Sequence, residues 1–219
     1  GLPATHFVPV TMVVTAGVYG GASLATFALL RERAVPQDPA VGDAGLRAAL
    51  GRLATTFRNA RGYRDFMWLL ASSVSYQAGI AVVIALAAVY AEQVLGFKQT
   101  DTMALIFMVN IAAALGAFGF GYAQDRIGHK AALGATLVGW IVMTALAALA
   151  TGAPLFWVAA VIAGLCMGSS QSAGRAMAGL FAPPEQRAEF FGLWTFAVRL
   201  AAIVGPVTYG IVTLLTAGN

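Results

Sequence analysis

The stretch Gly121-Tyr122-Ala123-Gln124-Asp125-Arg126-Ile127-Gly128-His129-Lys130 decides how this chain is read. It sets an acid, an arginine and a lysine within six residues, between two apolar runs at 100–122 and 131–150. A membrane helix needs about 20 consecutive apolar residues, and each run supplies them. The stretch is therefore a short charged connection between two spanning helices.

Composition agrees. The chain has 219 residues, of which 59% are hydrophobic and 10% charged, and its mean hydropathy is +0.79. Soluble domains carry about 25% charged residues, so this composition belongs in a bilayer. The formal net charge of +4 reflects bias in the loops and does not point to nucleic acid. Cys166 is the only cysteine, which excludes an internal disulfide, and its apolar surroundings suit a small packing residue.

Four further apolar runs lie at 7–30, 66–91, 155–174 and 190–215. With 102–122 and 131–150 they predict six spans in an all-α integral membrane protein. The first carries Gly17-x-x-x-Gly21, a spacing that lets another helix approach closely. Residues 32–64 form the one long polar segment. It begins with an irregular Pro36-Gln37-Asp38-Pro39. Leu46, Ala49, Leu50, Leu53 and Phe57 then recur at helical spacing with Arg47, Arg52, Arg58 and Arg61 between them. That pattern predicts a basic amphipathic helix suited to an anionic membrane surface.

Six spans put both termini on one side and sort the cations sharply. Arg31, Arg33, Arg47, Arg52, Arg58, Arg61, Arg64, Arg126, Lys130, Arg175 and Arg187 share the side of the 32–64 loop. Lys98 falls opposite, and Arg199 lies within the last span. The positive-inside rule makes the 32–64 loop cytoplasmic.

The motif Gly121-x-x-x-Asp125-Arg126-x-Gly128-x-Lys130, set between two spans, resembles the signature loop of the major facilitator superfamily. Arg175 and Gly205-Pro206 fall where a half of that fold often carries an arginine and a kink. Gln171 to Arg175, the turn Pro183-Pro184-Glu185-Gln186-Arg187, and Gly205-Pro206 with Tyr209-Gly210 are similar to the branch related to the vacuolar amino-acid effluxers of autophagy. The similarity covers residues 65–216. It implies a partial major facilitator fold: 1–31 as the last helix of the N-terminal half, 32–64 as the central loop, and 65–219 as an incomplete C-terminal half. Helices six to eleven would then be present, carrying half a cavity and not transporting alone.

The resemblance also implies export or exchange of a small solute, with amino acids the class in fungal members. A multi-pass protein of a bacterial plasma (inner) membrane is expected. Its partners would be the bilayer, the remaining transporter helices, a small-molecule substrate and a coupling ion, with no cofactor and no nucleic acid. The branch often has an acid near Gly79, where this chain has Gln77 and Ala78, and that departure weakens direct proton coupling through this helix.

Among single residues, Asp125 is expected to dock at a neighbouring helix start and hold the cytoplasmic side shut, with Arg126 and Lys130 as ionic neighbours. Gly121 and Gly128 would permit close packing and a tight turn. The alternative is a solvated loop that only sets topology. Arg199 at the middle of a span costs about 2.5–3.5 kcal/mol unless it meets water or a partner, which makes it a candidate for a substrate carboxylate or for charge coupling. A structural pair with a group outside this chain is the alternative. Gln77, Tyr76, Asn110, Gln171 and Ser170 are candidate cavity residues or plain interhelical bonds. Gly205-Pro206 is expected to kink the last span.

A phosphate-binding Walker loop is absent, which excludes ATP as the direct energy source. A membrane-embedded enzyme would need a nucleophile or metal constellation. His6 and His129 are the only histidines and lie on opposite sides, and neither His-Glu-x-x-His nor Gly-x-Ser-x-Gly occurs. No enzyme is therefore expected, and no metal site. A non-transporting scaffold or receptor is the remaining alternative, and the cost of Arg199 argues against it.

Overall fold

In the computed structural model the described residues are 4–31 and 46–216. They are helical throughout: α1 (Ala4–Leu29), α2 (Leu46–Ala60), α3 (Arg64–Gln93), α4 (Gln99–Ile127), α5 (His129–Ala148), α6 (Ala153–Phe181) and α7 (Arg187–Thr216), with a 3-10 turn at Pro184–Gln186. Six stretches are long and apolar enough to cross a membrane: Pro9–Leu29, Arg64–Gln93, Gln99–Ile127, His129–Ala148, Ala153–Phe181 and Pro184–Thr216. The protein is a multi-pass membrane protein. It divides into two units, Gly1–Ala44 and Gly45–Asn219, and the second holds the bundle. The expected irregular piece at 36–39 lies outside the described residues.

The spans run further than the apolar runs alone suggested. The signature connection shrinks to one residue, because α4 continues through Asp125 and Arg126 to Ile127 and α5 starts at His129. Gly128 makes the break with φ 85° and ψ 151°. Its amide donates to the Gln124 carbonyl at 2.9 Å, and its own carbonyl accepts from Ala132 at 3.0 Å. One residue thus ends one helix and opens the next, in a conformation that favours glycine. Likewise α6 runs past Gly174 to Phe181, so Arg175 sits inside a helix, and Pro183-Pro184 then bars continuation.

Packing within the bundle rests on two tight pairs, α4 with α6 and α3 with α7, with α5 laid against α6. In lipid, close backbone approach replaces the hydrophobic drive that operates in water. The α4–α6 seam shows this approach. A Cβ on Gly164 would lie 2.5 Å from the Val109 carbonyl oxygen and 2.7 Å from the Ala112 Cβ. One on Gly168 would strike the Ala113 carbonyl, and one on Gly116 the Leu165 backbone. Gly164 and Gly168 of α6 thus take the Val109–Ala117 stretch of α4, and Gly116 of α4 takes Leu165 of α6. In the other pair, Gly205 is pressed on the Ala78 backbone at the foot of the Pro206 kink position.

Three buried hydroxyls are satisfied by their own helices, which lets them sit between spans. Ser169 donates to the Leu165 carbonyl at 2.8 Å, Thr136 to Leu133 at 2.8 Å and Ser170 to Met167 at 3.2 Å. Aromatic rings close both ends. Phe156 meets Tyr90 and Phe97 at 5.7 and 5.9 Å at one end, while Phe190 meets Tyr63 and Phe66 at 5.2 and 4.5 Å at the other.

The amphipathic helix exists as α2, and it is tied to the bundle. Ala60 is fully buried, and Thr56 Oγ1 donates to Glu189 Oε2 at 2.8 Å at the start of α7. Phe57 remains 39% exposed, with the Arg61 guanidinium 5.2 Å from its ring centre.

Candidate functional site

The spacing Gly168, Gln171, Ser172, Arg175 repeats every three or four residues, so these side chains share one stripe of α6. The structure places them in one cavity of about 370 Å³ beside Ala113 and Ala117 of α4. Glycine at 168 brings the two helices together, and the short alanines leave room above. An amide, a hydroxyl and a guanidinium thus converge where two spans meet. Gln171 and Arg175 are exposed and Ser172 half-buried, although α6 from Ala159 to Ser170 has no exposed residue. Arg175 lies six residues from the end of α6, or about 9 Å. The guanidinium offers five donors in a planar fork that matches a carboxylate.

Arg199 is separate from that cavity. It is exposed on α7, half a helical turn from Ala197 and Ala201, which are buried. Since α7 begins at Arg187, Arg199 lies twelve residues, or about 18 Å, from that end. Asn110 is also exposed, and its Nδ2 donates to the Ile106 carbonyl at 2.8 Å.

The remaining candidates are more enclosed. Tyr76 is half-buried where α3, α6 and α7 meet: its hydroxyl lies 3.0 Å and the Trp194 ring 3.3 Å from where a Gly174 Cβ would stand. Ser170 is 1% exposed and bonded to its own helix. Gln77 is half-buried beside Ala78, the residue that Gly205 touches.

In the signature motif, Asp125, Arg126 and Lys130 are all exposed, and among the described residues no ion pair or hydrogen bond joins their side chains. At the start of α7, Glu189 accepts the hydrogen bond from Thr56 of α2. Gly128 makes the tight turn, whereas nothing lies within 4 Å of a Cβ on Gly121.

Ser172 escaped the reading of the sequence as a candidate, as did the Thr56–Glu189 bond. The three-and-four spacing from Gly168 to Arg175 was the signal for the first. The second joins residues 133 apart and had none.

Comparison with known proteins gives these observations a context. A family profile described as "Vacuole effluxer Atg22 like" matches residues 3–219. A Bacillus subtilis (strain 168) protein described as "Uncharacterized MFS-type transporter YxiO" is 24% identical over 165 residues, covering 75% of this chain and 38% of that protein. Autophagy-related protein 22-1 of Aspergillus niger is 26% identical over 178 residues, covering 74% of this chain and 29% of its own length. The chain thus spans about a third of the length of these curated relatives. No solved structure matches it.

Proposed function

The chain belongs to the vacuole effluxer Atg22-like family of major facilitator proteins, and on that premise we propose that it forms one wall of the solute path of a secondary transporter. The observation that carries this reading is the convergence of Gln171, Ser172 and Arg175 in an open cavity on the α4–α6 seam. A span spends free energy to place a guanidinium there, and an arginine in a membrane helix marks a solute or ion path by default. Arg199, deeper in the bilayer, is a second cation for the same path.

The solute class that suits two arginines with amide and hydroxyl neighbours is a small carboxylate, with amino acids the first to try. Helices of the opposing wall complete the cavity, and the two walls rock about a site near the midplane. Gly205 seats α7 on α3 at Ala78, and Pro206 beside it, which takes one backbone hydrogen bond from the helix, supplies the point about which α7 bends in this reading. The membrane is the plasma membrane of a bacterium, with α2 on the cytoplasmic side.

The test is efflux of labelled amino acids from vesicles holding the protein expressed from its complete reading frame. Arg175→Ala is expected to raise the half-saturating concentration by about tenfold, since a charged hydrogen bond contributes about 1.5–3 kcal/mol. Unchanged efflux in both Arg175→Ala and Arg199→Ala would remove the reading.

A further inference from the structure

A second and larger cavity, about 660 Å³, lies at the end of the bundle that carries α2. It is lined by Ile127, Gly128, His129, Lys130 and Ala131 on one wall and by Met177, Leu180 and Phe181 on the other. We propose that this cavity holds the headgroup and upper acyl chain of an anionic phospholipid.

Four observations point to this occupant. The lining residues sit at the ends of α4, α5 and α6, which is the depth of lipid headgroups for spans of this length. The lining divides chemically: Ile127, Met177, Leu180 and Phe181 are apolar, while Lys130 and His129 stand at the junction of α4 and α5. The His129 Nδ1 is buried without a hydrogen-bond partner among the described residues. Residues 128–131 also open α5, and no side chain caps that helix start, so its partial positive charge adds to that of Lys130. A free phosphate would use the cations and leave the apolar wall unused, whereas a lipid uses both. The inference rests on the membrane spans and stands apart from the solute path.

The experiment uses the protein from its complete reading frame in nanodiscs of equal phosphatidylglycerol and phosphatidylcholine. Lipid retained after extraction into detergent is counted by mass spectrometry. The wild type is expected to retain phosphatidylglycerol preferentially. Lys130→Gln should cut that preference about fivefold, the size of one cation's attraction to an anionic headgroup. Lys98→Gln, the same charge change at the opposite end, should leave it intact. Leu180→Trp, at a residue 64% exposed, fills the apolar wall without touching the core and should lower retention of lipid while sparing the fold. Inorganic phosphate in excess should not displace the lipid. Equal retention of both lipids by the wild type, equal effects of the two lysine changes, or displacement by phosphate would each overturn the proposal.

Discussion

Replacing Gly168 by alanine adds one methyl group at the tightest point of the bundle, and its cost follows from the seam. The new Cβ would strike the Ala113 carbonyl oxygen and stand 2.7 Å from its carbon and 2.9 Å from the Ala117 amide. Ordinary contact begins near 3.4 Å, so α4 must retreat by at least 0.7 Å (3.4 − 2.7). The obstacles are backbone atoms, which have no rotamer to swing away. Retreat also loosens the contacts of Gly164 and Gly116 along the same seam. Overpacking of this kind costs about 1–3 kcal/mol, and the backbone obstruction puts Gly168 at the upper end. Alanine regains up to about 1 kcal/mol of helix propensity, which leaves a net loss of about 2 kcal/mol. Thermal unfolding followed by circular dichroism in detergent is the assay. Gly119→Ala on the same α4, where nothing lies within 4 Å of the new Cβ, is the comparison and should match the wild type or exceed it. If Gly168→Ala unfolds together with Gly119→Ala, the close α4–α6 approach is refuted.

Gly205→Ala should destabilise similarly, because its Cβ would lie 3.0 Å from the Ala78 carbonyl carbon; a melting curve like that of the wild type would contradict the α3–α7 contact. Thr56→Val removes the hydroxyl that donates to Glu189 and should cost about 1 kcal/mol, a figure at the low end because the carboxylate is exposed, read as faster tryptic cleavage at Arg58 and Arg61. Asp125→Asn should leave the melting temperature unchanged, since the carboxylate has no partner among the described residues, while slowing efflux; normal efflux would reduce the motif to a topology signal.

The spans were legible because twenty apolar residues in a row have few other uses. Their ends were not legible. Gln124, Asp125, Arg126 and the run Arg175-Ala176-Met177-Ala178 are polar or mixed, yet arginine, glutamine, alanine and methionine are good helix formers, so the helix continues beyond the apolar core. The α4–α6 seam, where Gly164 and Gly168 meet Ala113 and Gly116 meets Leu165, was not legible, because one sequence carries no pairing information. Arg175 was visible as the arginine that the resembled fold often carries at this place. That it shares a cavity with Gln171 and Ser172 became visible only once α6 was seen to run on past Gly174. Tyr76 and Ser170 were legible only as polar side chains in spans; that one is half-buried beside Gly174 and Trp194 and the other bonded to its own helix came from the packing.

The measurement that bears most directly on the solute path is thiol accessibility. On a background lacking other cysteines, single cysteines replace Gln171, Arg175 and, as the bilayer-facing comparison, Ile141 on the outer side of α5, 70% exposed. A charged, membrane-impermeant thiosulfonate reacts only where water supports the thiolate, so residues 171 and 175 should label at least roughly tenfold faster than 141. Excess amino-acid substrate should slow both. Labelling at 171 and 175 as slow as at 141 would mean that this face of α4 and α6 meets lipid or protein, and no solute path runs along it.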